Sequence, residues 1–239
     1  MPQLVLIPGL LCTKAVFTNQ ISALPGIQEP IIAKTTMMSS VTEMAENLLD
    51  NTQGQLALCG FSMGGYVALE ACRLAPERIA GLALLSTTAR SDSDEKRKIR
   101  QDLINLSQNG KFKGVTPRLL PRFFSPAALQ DKEKTEIVLS MGAEIGQDNF
   151  VRQQTAIMQR RDQRPYLGAI TCPTIIVSGM LDNLTVPEDS VEMAELIPNA
   201  ALIQLPDCGH MSPLEAPDEV NEALQNWFQH LQGSDAISS

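Results

Sequence analysis

The stretch that most constrains this 239-residue chain is Gly60-Phe61-Ser62-Met63-Gly64-Gly65, because of what flanks it. Gln55 to Cys59 is an apolar run of strand length, and the residues from about Met63 to Leu74 suit a helix that stops before Pro76. A strand that passes into a helix through G-x-S-x-G makes a sharp, strained turn, with the serine hydroxyl projecting from the sheet edge. The glycines remove side chains that would clash at such a turn. The plainer alternative is a glycine-rich strand–helix turn with no chemistry attached.

Similar alternation runs through most of the chain. Leu4 to Ile7, the weaker Pro30 to Ala33, Ile79 to Leu85, Thr174 to Val177 and Ala201 to Leu205 read as further strands. Val41, Met44, Ala45 and Leu48 recur at helical spacing, with Ser40 as N-cap and Glu43 placed for a capping box. Strands alternating with helices imply parallel pairing through crossovers, hence a sheet covered on both faces. The expectation is an α/β fold with a mostly parallel sheet of about six strands.

The middle breaks this rhythm. From Thr88 to Tyr166 there are helical patterns, among them Asn149 to Arg161, but no convincing strand. This part opens with the charged run 91–98, which reads as a solvated helix face, and holds Pro117, Pro121 and Pro126. An all-helical insertion between two strands suggests a lid, so 88–166 is expected as an inserted lid and 1–87 with 167–239 as the core.

Composition narrows the function classes. The chain is 44% hydrophobic and 19% charged, ordinary for a globular domain long enough to bury a core without disulfides or metals. A formal charge of −8 argues against nucleic-acid and anionic-membrane partners. No stretch approaches the roughly 20 apolar residues of a membrane span. The apolar start is broken by Pro8-Gly9 and reads as a strand, not a signal peptide. Cys12, Cys59, Cys72, Cys172 and Cys208 are odd in number and contain no C-x-x-C, which fits reduced thiols in the cytoplasm. With two histidines, no zinc-type ligand cluster is recognisable.

A serine hydroxyl needs a base to act as nucleophile near neutral pH. Behind a nucleophile elbow the chain order is Ser, then Asp or Glu, then His. Only His210 follows a strand, in Leu205-Pro206-Asp207-Cys208-Gly209-His210, whereas His230 sits in the amphipathic pattern of Leu224, Trp227 and Phe228. Asp182 comes just after the Thr174 strand and is the first choice of acid; Asp92 or Asp94 is the alternative, and Asp207 is too near His210 in sequence. A buried Asp there would fix the imidazole tautomer. The developing oxyanion needs fixed donors, expected from the backbone N–H groups of Met63 and of Leu10 in Pro8-Gly9-Leu10-Leu11.

The segments LIPGLL, CGFSMGGYVAL, APERIAGLALLST, CPTIIVSGMLD and CGHMSPLEAPDEV together resemble the α/β-hydrolase superfamily, in its small bacterial lidded branch of carboxylesterases and enol-lactonases. The resemblance covers nearly the whole chain and implies Ser62, Asp182 and His210 as catalytic triad. It departs in two places. Pro8 stands where members usually carry His, and the chain begins at the oxyanion strand, so the two N-terminal strands of the full sheet are expected to be missing.

The activity this implies is cleavage of a small carboxylic ester through an acyl-enzyme, with no metal or organic cofactor. A lactonase or thioesterase would use the same triad, and a hydrolase-fold signalling or ligand-binding protein is the rival from another class. Phe123, Phe124, Met141 and Met158 are candidates to line an acyl pocket, or else core. Arg160 and Arg161 could meet a substrate carboxylate, surface solvation being the plainer reading. The sequence leaves the oligomeric state open.

Overall fold

The computed structural model describes residues 1–24, 29–110 and 112–234. In chain order the elements are β1 (Gln3–Ile7), α1 (Thr18–Ala23), β2 (Ile31–Ile32), α2 (Val41–Asp50), β3 (Leu56–Phe61), α3 (Met63–Leu74), β4 (Ile79–Leu85), α4 (Asp94–Asn109), α5 (Lys132–Gln159), α6 (Arg164–Leu167), β5 (Thr174–Gly179), α7 (Pro187–Leu196), β6 (Ala201–Leu205), α8 (Ser212–Glu215) and α9 (Pro217–Ser234). All six strands pair in parallel, in the order β2-β1-β3-β4-β5-β6.

Strand residues alternate between two cores because successive side chains point to opposite faces. Leu4, Leu6, Cys59, Phe61, Leu85 and Val177 join one cluster, completed by Leu224, Trp227 and Phe228 of α9. Val5, Ile7, Leu58, Leu82, Leu84 and Ile176 join the other, beneath Met44 and Leu48 of α2, Val67 of α3 and Met193 of α7. Burial on both faces explains why the central strands read as unbroken aliphatic runs rather than alternating ones.

The helix α2 starts where its cap predicts. The Ser40 hydroxyl accepts the Glu43 N–H at 3.1 Å, but the Glu43 carboxylate takes the Ser39 N–H at 3.0 Å, one residue before the reciprocal partner of a full capping box.

Between β4 and β5 the described residues hold helices and 3-10 turns and no strand. The 28-residue α5 is broken at Gly146, whose φ of 75° and ψ of 173° interrupt the helical path. Val138, Met141, Ile145 and Phe150 pack into the first core, and Ala156 and Ile157 into the second. Among the described residues no helix is long and apolar enough to cross a membrane.

Candidate active site

The carboxyl ends of β3, β5 and β6 bring three distant side chains together. At the end of β3 the chain turns through Ser62, with φ 53° and ψ −116°, and α3 begins at the next residue. Such a conformation in a non-glycine residue costs about 1–3 kcal/mol and needs support. The Ser62 N–H donates to Leu85 O at 2.9 Å, and Ser62 O accepts the Thr87 hydroxyl at 2.7 Å and the Gly65 N–H at 2.9 Å. Gly64 lets α3 start against β1: a Cβ there would lie 1.9 Å from Ile7 O.

The loop after β6 carries His210. Its backbone N–H donates to Phe123 O at 2.9 Å, and the Met211 N–H shares that acceptor at 3.2 Å. Glu215 accepts the N–H groups on either side, from Gly209 at 3.0 Å and Met211 at 2.9 Å, and that of Ser125 at 2.8 Å. The imidazole lies 5.4 Å from the Phe61 ring, centroid to centroid.

The loop after β5 carries Asp182, which is buried. One carboxylate oxygen accepts the N–H groups of Leu184 at 2.8 Å and Thr185 at 3.1 Å; the other accepts the Thr185 hydroxyl at 2.6 Å. That second oxygen also lies 2.7 Å from His210 Nδ1, while His210 Nε2 lies 3.0 Å from Ser62 Oγ. Burial alone would raise the Asp182 pKa. The neighbouring imidazole, its hydrogen bond, and those from Thr185 and Leu184 outweigh that, holding the carboxyl below its ordinary value. An ionised Asp182 puts the ring proton on Nδ1 and leaves Nε2 as acceptor for the serine hydroxyl.

The loop after β1 closes on the same point. A Cβ on Gly9 would lie 3.2 Å from the Ser62 Cβ, so the glycine lets the backbone approach the hydroxyl. Among the described residues, neither the Leu10 nor the Met63 N–H donates to a protein acceptor. The arrangement offers a hydroxyl, an imidazole within hydrogen-bond reach of it, a buried carboxylate behind the ring and a glycine loop close against the serine. Of the thiols, burial pushes Cys12 and Cys59 up to about 12, which leaves them protonated and inert at neutral pH. Among the described residues no group of three His, Cys, Asp or Glu side chains is placed to hold a metal ion.

A family model described as the alpha/beta hydrolase fold matches residues 25–217. The chain belongs to that family. A thermophilic esterase from Thermogutta terrifontis, solved with malate bound, superimposes on this hydrolase with a TM-score of 0.86 at 25% identity, over 97% of this chain and 90% of that one. A pimeloyl-(acyl-carrier protein) methyl ester esterase of Nitrosomonas europaea is 25% identical over 189 residues, 76% of this chain and 75% of the relative. The dihydrolipoyllysine-residue acetyltransferase component of the acetoin cleaving system of Pseudomonas putida is 29% identical over 210 residues. That match takes in 84% of this chain but 53% of the relative, so the hydrolase spans about half of that protein's length. The protein is accordingly a hydrolase enzyme.

For several side chains of the hydrolase the structure decides between the readings that the sequence left open. Asp92, weighed as an alternative acid, is buried in ion pairs with Arg100 and, at 2.9 Å, Arg160; Asp94 lies exposed at the start of α4. Arg160 is neither a solvated residue nor placed toward Ser62. It is buried, donates to Arg90 O at 2.8 Å and Ile157 O at 2.8 Å, and stacks 4.3 Å from the Tyr66 ring centroid. Arg161 is part-exposed, 3.5 Å from Glu70. Phe124 and Met141 are core, Phe123 and Met158 half-buried, and His230 exposed. Thr185 and Glu215 escaped notice; the only local hint was a hydroxyl three residues after Asp182 and a carboxylate five after His210.

Proposed function

We propose that this hydrolase cleaves small carboxylic esters through an acyl-enzyme, with Ser62 as nucleophile, His210 as general base and acid, and Asp182 as orienting carboxylate. The observation that carries this reading is the continuous chain from Ser62 Oγ through the imidazole to Asp182, at 3.0 and 2.7 Å. His210 Nε2 takes the hydroxyl proton as Ser62 Oγ attacks the ester carbonyl. The oxyanion is met by the N–H groups of Leu10 and Met63. The tetrahedral adduct collapses, the alcohol leaves with the proton from His210, and the acyl group stays on Ser62. His210 then deprotonates water, which attacks the acyl carbonyl; the acid departs and the serine is restored. No step calls for a metal or organic cofactor. In this reading 88–166 is the lid over the core, bearing on the site through the carbonyl of Phe123.

Esters come first because the Nitrosomonas relative is named a methyl ester esterase. The test is turnover of p-nitrophenyl acetate and butyrate by wild-type and Ser62→Ala proteins, with a fluorophosphonate label reporting the active serine. The variant should stay folded, resist labelling and lose about 10⁴-fold or more in kcat. Retained turnover or labelling would overturn the assignment. Wild-type labelling without ester turnover would move the substrate to lactones or thioesters on the same residues.

A further inference from the structure

One side chain of the inserted helix α5 reaches the loop expected to hold the oxyanion. Gln153 is fully buried, and both ends of its amide are engaged. Its Oε1 accepts the Leu11 N–H at 3.0 Å, and its Nε2 donates to Thr35 O at 3.1 Å. It therefore ties the loop after β1 to the segment after β2, across 142 and 118 residues of sequence.

The loop it grips is strained. Gly9 to Cys12 forms a four-residue turn closed by the Cys12 N–H on Gly9 O at 3.2 Å, and Leu11 sits in it with φ 57°. A leucine in the left-handed region persists only where its surroundings hold it. Gln153 supplies that hold at the residue next to Leu10, whose N–H is unspent. Without it the Leu11 N–H would be buried unpaired and the turn would relax toward φ below zero, swinging the Leu10 N–H away from Ser62. Sub-ångström aim decides how much a preorganised donor contributes.

We infer that Gln153 is a positioning residue for the oxyanion donor, so that the inserted helix sets the rate of the chemical step without touching substrate. This rests on the serine-esterase reading above. Losing an oxyanion donor outright costs about 10²–10³-fold, so a misaimed one in Gln153→Met should cost about 10–100-fold in kcat. KM for p-nitrophenyl butyrate should stay within about threefold, because the ground-state carbonyl relies little on that donor. Affinity for a phenylboronic acid, which forms a tetrahedral adduct on the serine, should fall by about the same factor as kcat. Gln153→Glu keeps the acceptor for Leu11 and should retain more kcat than Gln153→Met.

A merely structural glutamine would lower Tm and leave kcat and boronate affinity per folded molecule unchanged; that result would overturn the inference. So would Gln153→Glu falling as far as Gln153→Met. Should neither variant fold, amide exchange in the wild-type protein decides: a protected Leu11 N–H supports the hold, and exchange at open-loop rates refutes it. Failure of the underlying reading looks different, because Ser62→Ala would then match wild type whatever Gln153 does.

Discussion

Ser62 and Leu11 both have positive φ, a conformation that glycine would adopt with less strain. Each is held by groups outside its own segment: Ser62 by Leu85 and Thr87, Leu11 by Gln153. Asp182 is instead held from within its own loop, since Thr185 and the Leu184 N–H fill its remaining acceptor sites and leave one direction for the imidazole. Asp182→Asn should therefore be a severe change with little effect on packing. An amide oriented to donate to Nδ1 would force the ring proton onto Nε2, where it blocks proton transfer from Ser62. The expected loss in kcat is about 10³–10⁴-fold with Tm nearly unchanged. Steady-state turnover of p-nitrophenyl butyrate checks it; a loss under tenfold would remove Asp182 from its assigned role.

Among elements, the contact that matters most is α3 starting hard against the end of β1. The Gly64 position has no room for a methyl group because what it would meet is backbone, the Ile7 carbonyl, not a side chain able to rotate away. Gly64→Ala should destabilise the fold by about 3 kcal/mol or more, beyond the usual cost of an overpacked core site. Urea unfolding measures this, and a change within 1 kcal/mol would mean the crossing is looser than described. The break at Gly146 leaves residues on both sides of it, Ile145 and Phe150, in the core on the Phe61 side of the sheet, and only the end of α5, at Ala156 and Ile157, reaches the other core.

At the scale of the whole molecule, a polar cluster away from Ser62 ties the segment between β4 and β5 to α2 and α3. Glu70 of α3 is almost wholly buried and accepts from Thr42 of α2 at 2.7 Å, from Arg73 at 2.9 and 3.0 Å, and from Gln163 ahead of α6 at 2.7 Å. Burial works to raise its pKa, but the bonds from Arg73, Thr42 and Gln163 and the Arg73 charge bring it down to about 2, from an ordinary 4.5. The folded-state value is depressed, so the unfolded chain binds the proton first as pH falls. The stabilisation is complete above 4.5 and is lost as pH drops from there toward 2. Urea unfolding of wild type should weaken across that window. Glu70→Gln, already weakened at pH 7 by about 1–3 kcal/mol, should show a shallower dependence. Equal slopes for the two proteins would mean that Glu70 titrates alike folded and unfolded.

Local patterns in the chain were enough to give the alternating strands and helices and the turn at Ser62, because each is written in neighbouring residues as apolar period, glycine placement or a cap; Asp182 and His210 followed only from the chain order expected behind such a turn, with Asp92 or Asp94 as alternative acid. Most strand ends came within a residue or two, and the helix-only middle was evident from its missing strands. Partner choice was not legible. Arg160 and Arg161 look alike in sequence, yet one is sealed against Asp92 and Tyr66 and the other is part-exposed. Asp92 reads as one more charge in a solvated run, and Gln153 as an ordinary polar helix residue. Which charge is buried, and which amide spans two loops, depends on groups brought together from distant parts of the chain: Asp92 lies 68 residues from Arg160, and Leu11 lies 142 residues from Gln153. Only the packed sheet and the helices laid over it decide that, because a side chain's surroundings are set by the whole fold while its backbone preference is set by its neighbours.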